Sequence, residues 1–194
     1  QDFQPFRDML RASMRHAGAI RLDHVLGLKR LYLVPHGFSP RDGVYVRMPF
    51  EALLAVTAQE SVAHRCIVIG EDLGTLPEGL REALQAAGLY SYRLLYFERG
   101  EEGRFLRPDE YPVEAVAAVS THDLPTVVGY WRGHDIDLRE TVRDTAAPEE
   151  AKRARGERAR DRDLMLGAFR HAGIAEIEGD ARDPPLLPIH RFLA

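Results

Sequence analysis

Three carboxylates in this 194-residue chain stand where an α/β protein does chemistry. Asp23 closes Arg21-Leu22-Asp23-His24, Glu71 closes Ile69-Gly70-Glu71-Asp72, and Asp123 closes Ser120-Thr121-His122-Asp123. They lie about fifty residues apart, and each follows a short apolar segment that reads as a strand. The C-terminal ends of parallel strands are where such folds collect their active-site groups. A competing reading makes each acid the N-cap of the next helix. It is weakest for Glu71, because glutamate caps poorly and Thr75 offers itself for that task. Converging carboxylates suit two chemistries. One is glycosidic bond cleavage by a nucleophile, a protonated acid and a charge-stabilising third group. The other is a divalent metal bound by oxygen ligands. Arg21, two residues before Asp23, lies on the same face of its strand. A permanent cation there keeps a nucleophilic carboxylate ionised and competes with a metal for the same oxygens, so the first chemistry is favoured.

Histidines flank two of the acids. His122 beside Asp123, and with less weight His24 beside Asp23, are candidates to hydrogen-bond a polyhydroxylated substrate or orient an acid. His16, His36, His64, His134, His171 and His190 show no metal-ligand spacing, and neither a metal nor a cofactor is expected. Glu98 follows a strand-like segment too, but with Arg99, Glu101 and Glu102 beside it, it reads as a solvated rim charge.

The elements that must position these groups alternate between helical and extended patterns. Phe6, Leu10 and Met14 recur at four-residue spacing within a helix over 5–17 that ends at Gly18, and a strand is expected over 19–23. A Gly/Pro-rich loop covers about 35–49, a helix 50–63, and a fully buried strand 66–69. Thr75-Leu76-Pro77-Glu78 resembles a capping box opening a helix that buries Leu80, Leu84 and Ala87. Strands are expected over 92–97 and 115–120, then mainly helix from Leu124 to the prolines at 184 and 185. Strand and helix in alternation, with apolar strands, predicts an α/β protein with a parallel sheet. No Gly-rich phosphate loop follows any strand, which removes the main support for nucleotide binding.

Arg21-Leu22-Asp23-His24, Gly70-Glu71-Asp72-Leu73-Gly74 and Thr121-His122-Asp123-Leu124-Pro125-Thr126, in this order, resemble the three signature segments of the 4-α-glucanotransferases. These are the amylomaltases or disproportionating enzymes, relatives of the α-amylases. The resemblance runs from about Pro5 to Trp131 and includes Asp42-Gly43-Val44-Tyr45-Val46 and Phe97-Glu98-Arg99. It implies Asp23 as nucleophile, Glu71 as general acid/base and Asp123 as transition-state stabiliser, with Arg21, His122 and His24 contacting sugar or carboxylate. Asp72 matches as well, without a role. The implied substrate is a maltooligosaccharide or a starch- or glycogen-derived α-glucan. The implied fold is a (β/α)₈ barrel, of which residues 1–194 would be the C-terminal half, about strands four to seven, as one domain truncated at both ends and inactive alone. The absence of an initiating methionine, and a C-terminus with no polar tail, agree with a piece of a longer protein.

Composition narrows the field. A chain with 45% hydrophobic and 29% charged residues is globular. A net charge of −4 gives no general attraction to nucleic acid or anionic membrane. No apolar run approaches the roughly 20 residues that span a bilayer. Cys66, the lone cysteine, makes no intrachain disulfide and points to the cytoplasm. The six cations and two anions of 152–162 read as a solvated helix with Glu149, Arg153 and Glu157 at four-residue spacing. The alternatives to a transferase are an α-glucan hydrolase, a metal-dependent barrel lyase and an inactive carbohydrate-binding remnant.

Overall fold

A computed structural model of the chain describes residues 3–142, 148–174 and 182–194. In chain order its regular elements are α1 (Gln4–Met14), β1 (Ala19–Leu22), β2 (Arg30–Leu33), β3 (Val44–Arg47), α2 (Phe50–His64), β4 (Ile67–Gly70), α3 (Leu80–Ala86), β5 (Tyr90–Leu94), β6 (Ala115–Ala118), α4 (Val127–Arg132), α5 (His134–Val142), α6 (Pro148–His171) and α7 (Leu186–Leu193). Four strands form one sheet in the order β1-β4-β5-β6. β1 runs parallel to β4, with Leu22 opposite Gly70, and β4 runs parallel to β5, with Gly70 opposite Ser91. The chain is therefore α/β with a parallel sheet, as its alternating pattern predicts.

The residues divide into two compact units, and β5 and β6 each begin in the first and end in the second. The first unit holds the described residues up to Tyr92 together with Val113–Val116. Its core gathers Leu10 and Met14 of α1, Phe50, Leu53, Leu54 and Val56 of α2, Val68 of β4, and Leu80 and Leu84 of α3. Burying these side chains removes the apolar stripes of the helices from water, which is the main term stabilising the unit. Glu60, 3% exposed in the midst of α2, is held by charge: Arg11 Nε lies 2.8 Å from its Oε2 and Arg7 Nη1 2.9 Å from its Oε1. Those bonds, Arg11's first, hold its carboxyl below the usual range against the opposing effect of burial. The second unit packs Trp131 of α4, Met165 and Phe169 of α6, and Ile189 and Phe192 of α7 around Leu95, Tyr96 and Phe105.

Several boundaries differ from the sequence expectation, each for a local reason. α1 stops at Met14, three residues early, because the Ala17 amide turns back to the Met14 carbonyl at 3.2 Å. The loop expected over 35–49 contains β3, antiparallel to β2, with Arg30 opposite Arg47 and Tyr32 opposite Tyr45. Thr75 does not cap α3; that helix opens after Gly79, whose φ of 75° is available to glycine at little cost. β5 lies over Tyr90–Leu94 rather than 92–97, since the Phe97 and Glu98 amides fold back to the Leu94 carbonyl. The strand expected over 66–69 is not uniformly buried: Val68 is fully buried, whereas Ile67 is 46% exposed, so this face of β4 is open.

Candidate active site

In the first unit, Asp23 and Glu71 each follow the last residue of a paired parallel strand. Register brings the two strand ends level, and the Glu71 amide donates to the Leu22 carbonyl at 2.9 Å. Gly70 is needed at this point because the Val25 side chain lies 3.2 to 3.3 Å from where a Cβ would stand. Arg21 Nη1 reaches Asp23 Oδ1 at 2.6 Å, and its guanidinium also lies 5.2 Å from the centre of the Tyr92 ring. The Asp23 side chain is 66% exposed. One oxygen is thus held by a fixed cation while the group stays open to an incoming electrophile, which suits a nucleophile.

Glu71 is half-buried and held by backbone. Its Oε2 accepts from the His24 amide at 2.8 Å and its Oε1 from the Leu73 amide at 3.0 Å. His24 presents that amide by adopting a left-handed conformation, φ 46°, at a cost of about 1 kcal/mol for a non-glycine residue. The Val25 amide then donates to the Glu71 carbonyl at 3.1 Å. His24 therefore acts on the site through its main chain, a role its imidazole did not suggest.

Asp72 is the residue that sequence reasoning left without a task. It is fully buried, with Oδ2 accepting from Arg81 Nε at 2.8 Å and Ser91 Oγ at 2.6 Å, and Oδ1 from the Tyr92 amide at 2.9 Å. Burial pushes its carboxyl up, but the bonds from Ser91, the Tyr92 amide and Arg81 outweigh this and hold it below the usual carboxylate range. It ties the segment carrying Glu71 to β5 and α3. An acid directly after a strand-end glutamate was the only signal for it in the sequence, because its three partners lie 9 to 20 residues away.

In the second unit, Asp123 stands five residues beyond the end of β6, on a turn in which its amide donates to Thr121 Oγ1 at 3.2 Å. His122 Nε2 lies 3.4 Å from Asp123 Oδ2, and both side chains are exposed. The cap of α4 is Thr126, whose Oγ1 accepts from the Gly129 amide at 3.1 Å, so Asp123 is free of the capping task. Glu98 is not the solvated rim charge expected of it: its side chain is 13% exposed and pairs with Arg93 at 3.6 Å. In the charged stretch of α6, Arg153 and Glu157 meet at 3.7 Å as expected of a solvated face, but Arg158 is half-buried against Asp135, 2.9 Å away, with its guanidinium 3.6 Å from the Tyr130 ring centre. Among the described residues, no three His, Cys, Asp or Glu side chains are placed to share a metal ion, and no helix is long and apolar enough to cross a membrane.

Known proteins of one family are similar to this chain. The family model described as 4-alpha-glucanotransferase matches residues 1–177. A 4-alpha-glucanotransferase of Haemophilus influenzae is 39% identical over 181 residues, 92% of this chain and 26% of that protein. One of Mycobacterium tuberculosis is 36% identical over 200 residues, 100% of this chain and 27% of that protein. The crystal structure of amylomaltase from Corynebacterium glutamicum superposes with a TM-score of 0.78 at 35% identity, covering 88% of this chain and 24% of that one. The chain thus spans about a quarter of the length of the curated relatives it matches.

Proposed function

The chain belongs to the 4-alpha-glucanotransferase family, and on that premise we propose that its residues carry the catalytic carboxylates of an enzyme moving α-1,4-glucan segments to an acceptor sugar with retention of configuration. The observation that carries this reading is the level placement of Asp23 and Glu71 at the ends of paired parallel strands, with Arg21 bound to Asp23. The Asp23 carboxylate attacks the anomeric carbon of the donor glucan. The glycosidic C–O bond breaks as Glu71, in its acid form, gives its proton to the departing 4-oxygen, and a glycosyl ester on Asp23 results. The 4-hydroxyl of the acceptor then gives its proton to the Glu71 carboxylate, and its oxygen displaces Asp23. The His24 and Leu73 amides, one on each Glu71 oxygen, fix the orientation of the carboxyl group toward the bond it serves. Asp123 stabilises positive charge on the sugar ring, and Arg21, His24 and His122 assist as contacts to carboxylate and sugar. Water is the competing acceptor.

The same proposal makes the parallel strands about the fourth to seventh of a (β/α)₈ barrel in a longer polypeptide. The open face of β1 and β4, carrying Ala19, Arg21 and Ile67, supports it, because a closed barrel covers that face. Free, buried Cys66 fits a reducing compartment, the cytoplasm. The test is chromatography of products from maltotriose on the polypeptide in which these residues complete the barrel. Glucose plus longer oligosaccharides are expected, and Asp23→Asn should abolish both while retaining oligosaccharide binding. The 194 residues alone should be inactive. Near-normal transfer by the Asn variant refutes the nucleophile assignment.

A further inference from the structure

We propose that the cavity at the base of the β2–β3 hairpin, where Arg30 and Arg47 face each other beside Tyr45, binds a small organic phosphate: a phosphate monoester carried on a sugar-sized group. Arg30 and Arg47 are direct cross-strand partners, so their side chains rise from the same face of the hairpin. Like charges placed this way repel, and a fold retains them where something else requires them. No carboxylate among the described residues forms an ion pair with either of them. Among the described residues, Arg30 Nε is buried with no hydrogen-bond partner, and the Arg30 guanidinium lies 4.7 Å from the centre of the Tyr45 ring. Lys29 adds a third cation, 5.3 Å from the Phe50 ring centre, and among the described residues Glu51 is the one carboxylate lining the same cavity.

The cavity has a volume of about 470 Å³, within the range of small-molecule sites. Three cations against one carboxylate leave an excess of two positive charges, which matches a phosphate monoester carrying about −1.5 to −2 near neutral pH. Paired guanidinium forks are the side chains best shaped to hold phosphate oxygens. Tyr45 and Phe50 supply an apolar wall for the group that bears the phosphate. The hairpin is held ready for this. The Tyr32 hydroxyl donates to the Pro40 carbonyl at 2.5 Å, the Tyr32 ring lies 5.0 Å from that of Tyr45, and Gly43 leaves room for it, since a Cβ there would come within 2.5 Å. A neutral glucan needs the aromatic wall but not the cations, and this separates the proposed ligand from the family's substrate.

The test is calorimetric titration of the 194-residue chain with glucose 1-phosphate, inorganic phosphate and maltotriose. Glucose 1-phosphate is expected to bind, its affinity falling as ionic strength is raised, and inorganic phosphate is expected to bind at least tenfold more weakly. Arg30→Gln and Arg47→Gln should each weaken glucose 1-phosphate at least tenfold. Each removes one of two facing like charges, so circular dichroism and thermal melting should show the variants as well folded as the parent. The proposal is overturned if glucose 1-phosphate gives no binding, if Arg30→Gln combined with Arg47→Gln leaves its binding unchanged, if saturating maltotriose displaces it, or if inorganic phosphate binds as tightly.

Discussion

Replacing Asp72 by alanine tests whether the segment carrying Glu71 is held by charge or merely by packing. The carboxylate accepts three hydrogen bonds, from Arg81 Nε, Ser91 Oγ and the Tyr92 amide, at 2.6 to 2.9 Å, and is shielded from water. Arg81 is 44% exposed and rehydrates when its partner is removed, so it contributes little to the loss. The Ser91 hydroxyl and the Tyr92 amide are left facing an emptied site, at about 1 to 3 kcal/mol each. Asp72→Ala should therefore cost about 3 to 5 kcal/mol, a large fraction of the 5 to 15 kcal/mol typical of a domain. Asp72→Asn keeps an acceptor for the Tyr92 amide but turns a donor toward Arg81, and should cost less. Urea unfolding followed by far-UV circular dichroism measures both. The pH dependence adds a second readout. The carboxyl is held below its ordinary value of 3.8, so its contribution is fully present above that value and lost as pH falls through the lower folded one. The gap between parent and Asp72→Asn should be constant near neutrality and should close in acid. A loss below about 1 kcal/mol for Asp72→Ala, or a gap that widens in acid, would refute the charge-based account.

Two further outcomes follow from burial in each unit. Phe169→Ala removes a fully buried ring whose centre lies 5.0 Å from that of Phe192; it should cost about 3 to 5 kcal/mol in urea unfolding, and a cost under 1 would mean that α6 and α7 are not packed through this contact. Cys66 is 2% exposed and burial pushes its thiol up, so labelling by a thiol reagent in native buffer should be slow and should rise with urea in step with unfolding; immediate labelling would contradict the packing of the first core.

Chemistry and local periodicity were legible in the sequence; partner choice was not. Asp23 and Glu71 could be placed at strand ends because an apolar run followed by an acid reports its own local geometry, and β1 and β4 lie within a residue or so of where the pattern puts them. α2 was legible because Phe50–His64 is an unbroken stretch without glycine or proline, rich in alanine, leucine and glutamate. What escaped was set by groups distant in sequence. β3 exists because β2 pairs with it, and a four-residue strand beside glycine and proline carries little signal of its own. Glu98 was read from its acidic neighbours as solvated, but Arg93 and the turn after Leu94 enclose it. Asp72 shows the distinction most sharply. Its type says only that a charge must be hydrated or paired, and folding alone brought Arg81, Ser91 and the Tyr92 amide around it and so turned an unassigned acid into the anchor of its segment.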